Sequence, residues 1–210
     1  MEEDSKTIII LGFARTGTSL TANICKELGV DLGNNLRPAD EFNSRGYFES
    51  NDFVNLDGEI LDGKYNWPNL ISHPNSIYEK VMSKKEHYKE RIKKLIKQYK
   101  NTIWGWKCTL TLFTIDLYLP YLKNPHFIIC NRNPESAVKS ARGLSSDHYN
   151  FYNKELENFI HKKSKYPILL IFFEDYFIKP EEQVEKIRKF LGVEKEIDYN
   201  KIIDKNLKHF

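Results

Sequence analysis

Lys6-Thr7-Ile8-Ile9-Ile10-Leu11-Gly12-Phe13-Ala14-Arg15-Thr16-Gly17-Thr18-Ser19 is the stretch on which the fold turns. Lys6–Leu11 is a short, β-branched apolar run that stops at Gly12, the pattern of a buried strand. From Gly17 to Leu28 the apolar residues Leu20, Ile24 and Leu28 recur at helical spacing, and Gly29 is a natural stop. A strand, a tight glycine turn and a helix therefore open the protein. The glycines permit backbone angles that other residues resist. The loop amides and the helix N-terminus then converge on one spot and favour an anion there.

Outward from this unit, strands and helices alternate. Val30–Pro74 is irregular, with a short helix expected from about Asn51 to Leu61. Ile77, Val81, Tyr88, Ile92, Leu95, Ile96 and Tyr99 share one helical face, with lysines and glutamates on the other. Thr102–Lys107 reads as a strand, followed by an apolar helix from about Thr109 to Leu122. His126–Asn131 is another strand. Asn133 then offers an N-cap, Pro134 takes the first helical position and Gly143 closes the helix. Phe151, Leu156, Phe159 and Ile160 mark a further helix, and Pro167–Phe173 is the last strong strand. A helix from Pro180 ends at Gly192. This alternation predicts an α/β fold: a three-layer α/β/α sandwich around a parallel sheet, like that of P-loop nucleotide-binding proteins. Ligands of such sheets bind outside the carboxyl ends of the strands. One domain is expected over residues 1–210, with irregular insertions at about 33–75 and 144–152 walling a ligand pocket.

A chain of 210 residues with 40% hydrophobic and 29% charged residues can fold without a disulfide or metal staple. Lys and Arg number 32 against 29 Asp and Glu, a net charge of +3, which gives no reason to expect nucleic-acid binding. No apolar stretch is long enough to span a bilayer, and the acidic N-terminus is not a secretory signal. Cys25, Cys108 and Cys130 are far apart and have no metal-ligand spacing, so no metal is expected. A cytoplasmic enzyme with reduced thiols follows as the default.

The spacing from Gly12 to Ser19 is that of a Walker A loop with one change: Thr18 holds the lysine position, and the cation is Arg15. The loss of that lysine counts against ATP chemistry. The run Arg15-Thr16-Gly17-Thr18-Ser19 resembles the 5′-phosphosulfate loop of sulfotransferases that use 3′-phosphoadenosine 5′-phosphosulfate (PAPS), particularly the bacterial type. Three further segments resemble that family in the same order. Arg132-Asn133-Pro134, with Ser140 eight residues after the arginine, is similar to its 3′-phosphate segment. Independently, Arg132 leaves a strand end where a planar guanidinium can fork onto a phosphate. Ser140 follows two helical turns on with a hydroxyl to donate. Trp104-Gly105-Trp106-Lys107 resembles a Trp-Gly-x-Lys segment whose lysine would neutralise the sulfuryl group in the transition state. Ile171-Phe172-Phe173-Glu174-Asp175-Tyr176, followed by Pro180 and a helix ending Phe190-Leu191-Gly192, resembles the family's C-terminal structural element.

The resemblance implies PAPS as the sulfuryl donor and PAP, its desulfated form, as product. Arg15, Thr16, Gly17, Thr18 and Ser19 would take the 5′-phosphosulfate. Arg132 and Ser140 would take the 3′-phosphate, and Phe173 would lie against the adenine. Thr109 stands where some members carry a catalytic histidine, so the base must be another group. Glu49 of Gly46-Tyr47-Phe48-Glu49 is the first candidate, beside Arg15 and Lys107; a structural pairing with Arg45 competes, and His148 is a second candidate. Catalysis would then rest on Arg15, Lys107 and Glu49. The acceptor would be a small molecule, a carbohydrate or a lipid head group, offering a hydroxyl or an amine. Two other classes stay open: a non-catalytic nucleotide-binding relic and a small-molecule P-loop kinase.

Overall fold

A computed structural model describes residues 5–41, 43, 45–63, 71, 74–141 and 143–203 of the chain. Strands β1 (Lys6–Leu11), β2 (Ile103–Lys107), β3 (Pro125–Asn131) and β4 (Ile168–Phe172) form one sheet in the order β2-β1-β3-β4. Every pairing is parallel, with Ile8 opposite both Gly105 and His126, and Ile129 opposite Leu170. The described helices are α1 (Thr18–Glu27), α2 (Asn51–Ile60), α3 (Pro74–Ser83), α4 (Lys85–Ile96), α5 (Thr111–Tyr118), α6 (Pro134–Ser140), α7 (Ser146–Lys162), α8 (Asp175–Ile178) and α9 (Pro180–Leu191). The expected α/β sandwich is what the chain forms.

Alternation along β1 explains the three layers. Ile9 and Leu11 enter a core with Phe53, Ile92, Trp106, Ile115, Phe127 and Tyr152, on the side of α2, α4, α5 and α7. Ile8 and Ile10 enter a second core with Ile24, Ile128, Ile171, Tyr176 and Ile187, on the side of α1, α8 and α9. Both faces of β1 are dry from Ile8 to Leu11, so that run is apolar without interruption. Gly105 lets β2 lie close against β1, because a Cβ there would fall 1.9 Å from the Ile8 carbonyl oxygen. The chain leaves β1 for β2 on one side and later returns to pair β3 on the other. This reversal makes the carboxyl end of β1 the topological switch point, where such sheets hold ligands.

Beneath the end of β2 lies a buried polar knot. Asp57 of α2 accepts hydrogen bonds from the hydroxyls of Thr111 (2.5 Å), Thr114 (2.7 Å) and Tyr118 (2.8 Å), and the Trp106 indole donates to Thr111 Oγ1 (2.9 Å). Burial pushes the Asp57 carboxyl up from its ordinary pKa, and the three hydroxyls pull against that rise.

Three expectations are corrected. The single helical face from Ile77 to Tyr99 is two helices that break at Lys84. The Lys84 ammonium reaches back to the Ile60 carbonyl (2.5 Å) and Asp62 (2.5 Å), capping the negative end of α2. Helix α6 ends at Ser140, before Gly143. Residues 146–152 are not an irregular insertion but the first turns of α7, with Tyr149 and Tyr152 buried in the core. Among the described residues no helix is long and apolar enough to cross a membrane.

Candidate active site

The loop after β1 begins and ends on tightly enclosed positions. Gly17 is the N-cap of α1 with φ 88°, and a Cβ there would stand 2.6 Å from the Phe173 ring. A side chain at this position would meet both a left-handed backbone and an aromatic wall. Arg15 also has positive φ, 67°. Left-handed residues within a loop turn successive N–H groups to one side, forming an anion-binding concavity, and the first N–H groups of α1 face the same way. Thr16 closes the turn by donating from its hydroxyl to the Phe13 carbonyl (2.7 Å).

This loop borders a cleft of about 250 Å³. Arg15, Gly17, Thr18, Ser19, Glu49, Lys107, Arg132 and Phe173 all line it, so one cleft gathers most of the residues singled out in the sequence. Thr16 is buried beneath the loop. Ser140 reaches the cleft through Arg15, whose Nε donates to its Oγ at 3.0 Å. Arg132 donates from its terminal nitrogen to the Arg15 carbonyl (3.0 Å). Its guanidinium sits 4.4 Å from the centre of the Phe173 ring, and its Nε lies 3.9 Å from Glu174. Arg132 is only 5% exposed. Burial lowers the pKa of its guanidinium from the ordinary arginine value, Glu174 opposes the fall and Arg15 adds to it. Two guanidinium groups and a hydroxyl thus meet where β1 and β3 end, a set suited to a phosphate.

At the other end of the cleft Lys107, at the end of β2, donates to Glu49 Oε1 at 2.7 Å, with both side chains about 5% exposed. Arg37 stands 3.5 Å from Glu49 Oε2. Arg45, the partner weighed from the sequence, donates to the main-chain oxygens of Lys201 (2.9 Å) and Ile202 (2.8 Å). His148 lies in the first turn of α7, not in a loop. Its Nδ1 accepts the Ser145 N–H (3.1 Å) in a capping box, and it is not among the residues lining the cleft.

Several lining residues were not identified from the sequence. Arg37 lays its guanidinium over the Tyr47 ring at 3.9 Å, and the Tyr47 hydroxyl donates to Asp40 (2.8 Å). Phe48, Phe177 and Ile202 join Phe173 and Leu20 in an apolar wall, with the Phe173 and Phe177 rings edge-on at 5.1 Å.

A family model described as the sulfotransferase family matches residues 7–197. No curated protein matches the chain. Among solved structures, the sulfotransferase domain of the olefin synthase of Synechococcus PCC 7002 superposes with a TM-score of 0.56 at 15% identity, covering 95% of this chain and 76% of that one. A sulfotransferase of Mycobacterium tuberculosis H37Rv gives 0.50 at 13% identity, covering 96% and 71%. At these identities the likeness to the two structures is one of fold. The family model spans nearly the whole chain and includes both strand ends that build the cleft, and the chain belongs to the sulfotransferase family.

Proposed function

We propose that the protein moves a sulfuryl group from PAPS to a hydroxyl or amine of a small acceptor. The observation that carries this reading is the Arg15–Ser140–Arg132 cluster. It is a second anion site beside the first, which a donor phosphorylated at both 3′ and 5′ positions requires and a nucleoside triphosphate does not. The loop from Gly12 to Ser19 would hold the 5′ end, and the Phe173–Phe177–Ile202 wall would lie along the base. When bound, the donor supplies a sulfuryl group on a phosphate leaving group, positioned for in-line displacement.

The protein's own residues do the rest. Lys107 carries the positive charge closest to Glu49 and would stabilise charge that develops on the transferred group and on the leaving oxygen. As the acceptor oxygen bonds to sulfur, its proton needs a receiver, and Glu49 is the carboxylate lining the cleft beside Lys107. For that, the Glu49 oxygen now bonded to Lys107 must turn to the acceptor while Lys107 turns to the donor. Arg15 joins the 3′-phosphate group in this arrangement, with its backbone still part of the 5′ loop.

Calorimetry with PAP and with magnesium–ATP, followed by transfer of labelled sulfate from PAPS to a panel of hydroxylated acceptors, tests the proposal. PAP should bind at least tenfold more tightly than ATP, a preference of about 1.4 kcal/mol, and label should move. ATP binding as tight as PAP would overturn the PAPS reading and favour the P-loop kinase class. Tight PAP binding with no transfer to any acceptor would make it a nucleotide-binding protein without turnover.

A further inference from the structure

Helix α7 contributes no residue to the lining of the cleft, yet two of its buried side chains reach the backbone of both anion sites. Tyr152, fully buried, accepts the Gly12 N–H on its hydroxyl oxygen at 3.2 Å. Tyr149 donates from its hydroxyl to the Arg132 carbonyl at 2.9 Å. The same hydroxyl lies 3.2 Å from Asn131 Oδ1, which accepts the Arg132 N–H at 2.8 Å. Phe13, the loop residue next to Gly12, packs against both rings, with centroids 5.3 Å from Tyr149 and 5.8 Å from Tyr152.

We infer that Tyr149 and Tyr152 are positioning residues that fix the distance between the 5′ loop and the 3′-phosphate arginine, and so favour a donor carrying both anionic groups. The inference rests on the function proposed above. Three residues apart on one helix, the two rings share a face, so their separation is set by the helix and not by either loop. Gly12 and Arg132 lie just past the ends of adjacent strands, where the ladder of backbone hydrogen bonds no longer holds them in register. The tyrosine hydroxyls replace that ladder. They act in a dry core, where low polarity strengthens a hydrogen bond and makes its loss costly. A nucleotide with one anionic group needs only one of the two loops in place, whereas a bisphosphorylated nucleotide needs both at the right spacing.

Affinities for PAP and for AMP, which lacks the 3′-phosphate, are measured on the full chain and on Tyr149→Phe, Tyr152→Phe and Tyr166→Phe. Tyr149→Phe should weaken PAP about tenfold, the loss expected for one buried hydrogen bond, and leave AMP within about twofold. The ratio of the two affinities therefore falls. Tyr152→Phe should weaken AMP as well, since it releases the 5′ loop, and weaken PAP more, since the spacing to Arg132 is lost with it; the ratio falls again. Tyr166→Phe is the control: its ring packs on Phe127 in the same core, and its loss should leave the ratio unchanged. Should Tyr149→Phe fold poorly, Asn131→Ala removes the neighbouring hold on Arg132 and should lower the ratio in the same direction. An unchanged ratio in a folded Tyr149→Phe, while the parent protein prefers PAP, overturns this inference alone. A parent protein that does not prefer PAP over AMP overturns the proposed function, and this inference with it.

Discussion

The two ends of the cleft are built by different means. The donor end is made of backbone and buried rings: Gly17 pressed against Phe173, Phe13 between two tyrosines, and Arg132 held at 5% exposure. The wall that the proposed function would give to the acceptor, around Arg37, Asp40 and Tyr47, is made of side chains that pair with one another at the surface. Arg37 and Asp40 are 38% and 37% exposed and 4.0 Å apart. Buried contacts of the first kind tolerate little change, because each is packed on several sides. Exposed ion pairs of the second kind are worth about 0–1 kcal/mol each. The donor end is therefore fixed by the fold, while the acceptor wall can be rebuilt at small cost to stability.

Glu49 stands where the two regions meet, and its replacement should have the largest effect. Glu49→Gln is expected to lower turnover by roughly 10²–10⁴, the range for a positioned acid–base group. PAP affinity should stay within about twofold. A normal rate would move the base elsewhere in the acceptor wall. Next comes Arg132→Ala, which should weaken PAP by about 1.5–3 kcal/mol through loss of charge-assisted hydrogen bonds, with AMP nearly unaffected. Equal losses for both nucleotides would dissolve the distinction between a 3′ and a 5′ site within the donor end.

Asp57 sharpens the comparison from below, since it is a buried charge outside either end of the cleft. Its folded-state pKa is raised by burial, so its contribution to stability is greatest below the unfolded carboxyl value of about 4 and is lost as pH rises through the folded value. Thermal melting followed from pH 3 upward should show that loss in the parent and a flatter curve in Asp57→Asn. Identical curves would mean that the hydroxyls of Thr111, Thr114 and Tyr118 fully offset burial. The smallest effect is expected at Arg37. Arg37→Ala should cost no more than about 1 kcal/mol of stability and leave PAP affinity unchanged, while altering the KM of whichever acceptor is found. A large loss of PAP binding would show that the acceptor wall is not independent of the donor end.

The legible parts of the molecule were those written in local pattern. An apolar run stopping at glycine gave β1, and the loop residues around Arg15 followed from it. Asn133 and Pro134 marked the start of α6, where Asn133 accepts the Ser136 N–H at 3.1 Å. Contacts between distant segments were harder. Nothing local in Arg15 or Ser140 says that they bond each other, because the contact exists only once β1 and β3 are side by side. The same holds for Lys107 and Glu49, whose 2.7 Å contact no local pattern announces; the sequence set a base beside Lys107 against a structural pairing with Arg45 as open alternatives. The start of α7 was misread because Ser145, Ser146 and Asp147 look like a polar loop. Yet Ser145 and His148 stand at capping-box spacing, and Tyr149, Tyr152, Leu156 and Phe159 recur at helical intervals.

The register of the sheet carries a consequence for how the chain is made. Ile8 pairs with Gly105 and His126, so β1 has no strand to join until the chain has been synthesised past Gly105. At about 5–20 residues per second, that leaves this isoleucine-rich strand unpaired on the ribosome for several seconds. The most deeply buried strand of the finished enzyme is thus the longest exposed of the four during its birth. Long-range parallel pairing of this sort slows folding, so the nascent chain relies on whatever shields Ile8, Ile9 and Ile10 until β2 and β3 arrive.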